Sequence, residues 1–200
     1  EAGNATQDGT IAIGWNSLHQ LTSGARNLAI GYQAMDVLTT SADNIAIGYG
    51  ALGSATTNTT QNIAIGNYAL DSCTAGQTVT DNIAIGYSAG TAITTGDSNT
   101  LVGMQAGDVI TTGGTNVIIG KDADPSANSA TNQIVIGSDT TGHGDNIAVI
   151  GNASCTAWHP ADDAGVDLGA TNYRFANLYV ADMQLSNENT DGNEVDGTTG

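Results

Sequence analysis

Along most of the chain, apolar and polar positions recur in one short figure. A polar residue is followed by a β-branched residue, a small residue, a second β-branched residue and a glycine. The closing glycines are Gly14, Gly31, Gly48, Gly66, Gly86, Gly103, Gly120, Gly137 and Gly151, spaced by 17, 17, 18, 20, 17, 17, 17 and 14 residues. Nine copies at a nearly constant interval mark an internal repeat, and a repeat decides the architecture before any single residue does. Three residues before the glycine stand Ile11, Leu28, Ile45, Ile63, Ile83, Thr100, Val117 and Ile134, and the residue directly before it is Ile or Val in every copy. This composition and alternation predict one short strand per unit.

Side chains alternate faces along a strand, so the two β-branched positions share one face and the residue between them takes the other. Both faces are apolar, and both are expected to be buried. The intervening residue is Ala12, Ala29, Ala46, Ala64 and Ala84, then Leu101, Ile118, Val135 and Val149. A row bearing only methyl groups implies close approach of a neighbour, and we read Ala12, Ala29, Ala46, Ala64 and Ala84 as a chain–chain face. A change of packing partner is expected from Leu101 onward. The glycine ends the strand, where a turn requires positive φ or leaves no room for a Cβ. After it comes Trp15, Tyr32, Tyr49, Tyr87 or Met104, then two residues later a Ser or Ala, then Leu18, Met35, Leu52 or Leu70. That segment alternates again and predicts a second strand per rung. The remainder, such as Thr39-Thr40-Ser41-Ala42-Asp43, has the chemistry of turns.

Four residues before the glycine stand Asn27, Asn44, Asn62, Asn82, Asn99 and Asn116, with Thr10 and Gln133 as variants. The ninth copy holds Asn146 one place further back, which reads as a one-residue insertion. An Asn at a strand entrance caps the turn, and identical amides stacked rung on rung bond to one another where stacked carboxylates would repel. The predicted fold is all-β: a repetitive parallel β-roll or solenoid of about nine rungs over residues 1–151, followed by a small β-rich tail over 152–200. One repeat cannot bury both of its faces, so stability must come from stacking and from chain association, and a homotrimer is expected.

Composition narrows the function. Gly is 27 of 200 residues, aromatics are 4%, and Phe175 is the lone Phe, so the chain suits a thin layered object better than a thick core. Twenty acidic residues against Arg26, Lys121 and Arg174 give a net charge of −17. That balance excludes nucleic-acid binding, which needs cations to displace counterions from phosphates, and it repels an anionic membrane. No apolar run of about 18 residues is present, so no membrane insertion is expected. No basic segment followed by an apolar stretch marks a signal peptide, and the start at Glu1 without an initiator Met reads as a processed or partial product. Cys73 and Cys155 lie about five rungs apart, roughly 24 Å at ~4.8 Å per rung, well beyond the ~7 Å that a disulfide spans. Two buried, unbridged thiols are expected.

Catalysis needs converging titratable groups, and none converge in this sequence. His19, His143 and His159 are isolated, and no His or Cys pair has metal-ligand spacing. Asp162-Asp163 follows Trp158-His159-Pro160 and reads as the boundary between roll and tail, with Trp158 covering the open end of the last rung. A non-enzymatic chain without cofactor or metal is expected.

The run Asn-Ile-Ala-Ile-Gly-Tyr-x-Ala, at Asn44 to Ala51 and Asn82 to Ala89, resembles the head repeats of trimeric autotransporter adhesins. Those heads are trimers of left-handed parallel β-rolls. The Gly-Tyr-x-Ala-Leu continuation at Gly48 to Leu52 is similar to repeats of bacteriophage tail fibres and related virion appendages, and the resemblance spans roughly residues 10–151. Asp167 to Val180 resembles a segment that follows the shaft in many phage fibres, and Gly192 to Gly200 is similar to the closing stretch of marine phage structural proteins. The resemblance implies a structural virion fibre acting as a trimeric shaft for host attachment. Its partners would be two further copies, other virion proteins and a host-surface receptor or glycan. A bacterial surface adhesin head is the alternative.

Overall fold

The computed structural model describes residues 8–55, 57–73, 78–158, 168 and 170–181. The repeated tripeptides form nine strands of three residues each: β1 (Ile11–Ile13), β2 (Leu28–Ile30), β3 (Ile45–Ile47), β5 (Ile63–Ile65), β7 (Ile83–Ile85), β8 (Thr100–Val102), β9 (Val117–Ile119), β10 (Ile134–Ile136) and β11 (Ala148–Ile150). They make one parallel sheet in chain order, each strand paired with the next unit's in register, as Ile45 with Ile63, Ala46 with Ala64 and Ile47 with Ile65. Parallel neighbours in unbroken chain order define a β-solenoid, nine strands joined by eight coils. Two longer units add a second pair, β4 (Thr59–Thr60) with β6 (Val79–Thr80). No helix occurs among the described residues.

The coils are shaped by left-handed residues at fixed points of the unit. One directly precedes the Asn, as at Arg26 (φ 60°), Asp43 (64°) and Asp81 (59°). A second lies two residues after the glycine, at Gln33 (56°) and Tyr68 (61°), and a third four after it, at Met35 (52°), Leu52 (51°) and Leu70 (53°). Each costs a non-glycine residue roughly 1–2 kcal/mol. Bonds between coils offset that cost: Gln33 N donates to Trp15 O at 2.9 Å, Met35 N to Ala51 O at 3.0 Å and Leu52 N to Ala69 O at 2.9 Å. Among the described residues, the second strand expected directly after each glycine is therefore absent. Its alternation of exposure comes from successive turns that change the sign of φ, not from a pleat.

The inside of the coil is narrow. Ala29, Ala46, Ala64 and Ala84 are fully buried within the single chain, against a cluster containing Ala34, Met35, Leu38, Leu52 and Leu70. A one-chain interior this thin accommodates a methyl from the strand and one larger group from the coil. Where the strand residue becomes Leu101, the coil residue becomes glycine. A Cβ on Gly90 would lie 2.7 Å from Leu101 Cδ1, and one on Gly107 would lie 2.7 Å from Leu101 Cδ2. The change of partner at Leu101 is thus an exchange of large and small groups inside the same chain.

The ninth unit carries no insertion. Ala148 pairs with Ile134, which places Ile147 in the Asn position and Asn146 in the left-handed position before it, with φ 62°. Asn146 Oδ1 accepts from Asn132 Nδ2 at 2.9 Å, one column outside the Asn row. The first compact unit continues to Thr156 and the second runs from Ala157. Cys155 N closes the first with a bond to Asn152 O at 2.9 Å. In the second unit, among the described residues, Ala170 and Tyr173 exchange two backbone bonds of 2.9 and 3.0 Å. Leu168, Tyr173, Phe175 and Tyr179 are exposed there, and Trp158, expected as a lid, is 79% exposed.

Candidate interaction surfaces

The residues singled out by the repeat separate into an interior frame and an exterior surface. Asn27, Asn44, Asn62, Asn82, Asn99 and Asn116 are buried and form a continuous amide ladder. Asn62 shows the pattern. Its Nδ2 donates to Asn44 Oδ1 at 3.2 Å and to Val79 O on the following coil at 2.9 Å, while its Oδ1 accepts from Asn82 N at 3.0 Å and Asn82 Nδ2 at 3.2 Å. The ladder ends at Gln133, whose N donates to Asn116 Oδ1 at 3.0 Å. Its longer side chain turns away to Ser126, accepting from Ser126 N at 3.1 Å. Asp145 sits outside the row and accepts from Thr131 N at 2.8 Å, and that bond holds its carboxyl below the ordinary range.

The closing glycines form the second interior column. Gly48 has φ 137°, and a Cβ there would lie 2.6 Å from both the carbonyl C and O of Gly66. The backbone conformation and the close approach of the next coil both require glycine. With these two columns, the recurring Asn and Gly of the repeat are used up in holding one coil on another.

The chain–chain role expected for the Ala row needs correction. Ala29, Ala46, Ala64 and Ala84 are enclosed by their own chain, so no second chain reaches them. Ala12 is exposed because β1 is the end strand of the described sheet. The two β-branched rows, expected to be buried, face outward instead. Ile11 and Ile13 are 52% and 58% exposed at one end and Ile150 is 46% exposed at the other. Leu28, Ile45 and Ile63 between them are half-buried. No charged residue interrupts the two rows. With eight intervals of ~4.8 Å they form a strip about 38 Å long.

Along one border of the strip runs a tyrosine row that composition alone did not mark. Tyr32 and Tyr49 stack at 5.3 Å with planes 9° apart, Tyr49 meets Tyr68 edge to face at 5.0 Å, and Tyr68 meets Tyr87 at 6.2 Å. A side-chain hydrogen bond with Tyr49 holds the Tyr68 phenol above its ordinary range. The signal for this row was present in the Tyr directly after Gly31, Gly48 and Gly86 and two residues after Gly66, but only stacking brings those rings together.

The remaining candidates are dispersed. Arg26 forms a fork with Asp43 on the next coil (2.5 and 2.7 Å), which lowers the carboxyl's pKa and raises that of the guanidinium. Lys121 is paired with the adjacent Asp122. His19 Nδ1 lies 3.6 Å from Asp36 Oδ1. Among the described residues no group of three or more His, Cys, Asp or Glu is placed to hold a metal. Cys73 is buried as expected, its thiol pushed up to about 12 by burial, whereas Cys155 is exposed, contrary to expectation, and neither is bridged. His159, Asp162-Asp163, and the segment Gly192 to Gly200 lie outside the described residues. No protein-family model, curated protein or solved structure matches the chain.

Proposed function

We propose that the chain is a structural virion fibre, a tail fibre or appendage, in which three copies join through the outward isoleucine rows to form a shaft for host attachment. The observation that carries the reading is the uncharged strip on the outside of the solenoid, apolar at every position except Thr100. Solvent-exposed apolar strips of this length mark contact surfaces. A second copy of the same chain suits it, because identical strips have identical rung spacing and carry no charge. Elsewhere the copies repel, with −17 on each, so an apolar strip is where they can meet. The virion assignment rests on the likeness of Asp167 to Val180 to phage fibre segments, and an adhesin head remains the second reading, with the exposed tyrosine row as its contact surface.

Sedimentation equilibrium tests the assembly: a mass of three chains is expected, and a monomer at micromolar concentration would overturn it. Ile47→Lys combined with Ile65→Lys places two ammonium groups in the strip, where desolvating them is costly. That variant is expected to sediment as a single chain, and an unchanged trimer would sink the isoleucine interface. Antibody labelling of purified virions distinguishes the fibre from the adhesin, since label on appendages supports the former and label on bacterial cells alone supports the latter.

A further inference from the structure

One rung departs from the repeat in a way that opens a site. Two and five residues after the closing glycine, most rungs carry substantial side chains: Gln33 with Asp36, Tyr68 with Asp71, Gln105 with Asp108. In the third rung both positions are glycine, Gly50 and Gly53. The backbone does not demand this at Gly50. Its φ of 62° matches Gln33 (56°), Tyr68 (61°) and Gln105 (57°), all of which bear side chains in the same conformation. The missing side chains leave a notch of about 220 Å³ between the second and fourth rungs.

The walls of the notch have a consistent chemistry. Asp36 Oδ1 is buried, accepts no hydrogen bond and lies 3.6 Å from His19 Nδ1, and its Oδ2 accepts from Gln33 Nε2 at 3.3 Å. Opposite, Asp71 Oδ1 accepts from the Ser54 hydroxyl at 3.3 Å, and burial raises its carboxyl above the ordinary range. Tyr49 and Tyr68 supply an aromatic side, and Tyr49 is 40% exposed. The site is therefore rich in acceptors, while its side-chain amide and hydroxyl donors are engaged, Gln33 and Ser54 with the carboxylates and the Tyr49 and Tyr68 hydroxyls with each other. A ligand must bring several donors and a C–H face for the rings. Two carboxylates reject anionic ligands. The volume is below the ~300 Å³ at which drug-sized pockets begin, so it admits one ring rather than a chain of them.

We propose that this notch binds one neutral hexopyranose unit, its hydroxyl pairs donating to Asp36 and Asp71 and its C–H face against the tyrosines. All lining residues come from one chain, so the site is independent of the trimeric fibre reading, and a monomer would hold it equally.

The test is saturation-transfer NMR on the full chain with D-glucose, D-galactose and D-mannose as probes. At least one is expected to bind with Kd on the order of 1 mM. Gly50→Gln restores the side chain of the neighbouring rungs and fills the notch without changing charge; its Cβ meets Tyr68 Cδ1 at 3.2 Å, so that ring must shift slightly, and binding should weaken at least about tenfold in a chain that still melts cooperatively. Asp36→Asn, which keeps the fold but removes the acceptor charge, should weaken it too and serves if Gly50→Gln does not fold. Absence of saturable binding by all three sugars would overturn the proposal. So would equal affinity in both variants, or choline competing as well as the sugar, which would reduce the notch to a general cation attractor.

Discussion

At the scale of single residues, the chain is held by two columns with different physics. Asn works because an amide both donates and accepts, so one side chain serves the coil before it and the coil after it. Asn62→Ala would leave Val79 O and Asn82 N without their buried partners; at about 1–3 kcal/mol for each orphaned group, a loss of roughly 3 kcal/mol is expected. Asn132→Gly, in the exposed neighbouring column, suits the left-handed φ of 53° and should cost under about 1 kcal/mol, and urea melts of the two variants side by side check the contrast. Gly48→Ala should be worse than either, because its Cβ meets the next backbone at 2.6 Å; loss of soluble folded protein, read by far-ultraviolet circular dichroism, is expected. Asp124 gives a pH signature. Burial, followed by the nearby charge of Asp108, pushes its carboxyl up to about 6 from an ordinary 3.8. The folded chain then holds a proton that the unfolded chain releases, so this contribution is fully present below pH 3.8 and is lost as pH rises through about 6. Asp124→Asn should flatten that part of the stability profile, and melting temperatures of variant and parent that fall in parallel between about pH 4 and pH 7 would refute the assignment.

At the scale of the element, the rung trades volume between strand and coil, and the trade is testable as a coupling. Leu101→Ala opens a cavity beside Gly107 and should cost about 2–5 kcal/mol. Gly107→Leu drives a side chain against Leu101, yet its φ of 61° is close to that at which Leu52 sits (51°). The double variant reproduces the small-strand, large-coil arrangement of the earlier rungs and should recover at least about 1 kcal/mol relative to the sum of the singles. Strict additivity in thermal melts would show that the two groups do not share one space. The same trade explains what was readable in advance. Nine strands, their parallel stacking and their in-register pairing followed from the repeat alone. Which face was inside did not, because alternation separates Ile45 and Ile47 from Ala46 without saying which side the coil will close on. Closure inward is set by the left-handed corners at Asp43, Met35 and their equivalents, and Leu and Met give no sequence warning of that conformation. The corners also disguised turns as a second strand. The notch was hidden for another reason: Gly50 and Gly53 look like ordinary turn glycines until stacking sets Asp36 and Asp71 on either side of them.

At the scale of the whole molecule, a stack of interchangeable coils makes length a free variable, provided whole units are exchanged. Stability in such an array is a sum of rung terms and nearest-neighbour terms. Removing residues 100–116 deletes one 17-residue unit and joins Asn99 directly to Val117, so the amide ladder, the glycine column and the outward rows all keep their register. Ile118 then takes the place of Leu101 beside Gly90, so the interior stays filled. The shortened chain should fold, assemble as the parent does, and lose about 4.8 Å of length by small-angle scattering. Removing residues 100–107 instead cuts within a unit, and the following coil would arrive with its Asn and Gly out of step. That chain should fail to give a cooperative melt. Equal behaviour of the two deletions would mean that stacking is governed not by the Asn and Gly columns but by the outer surface, where the isoleucine strip alone would have to hold the copies in order.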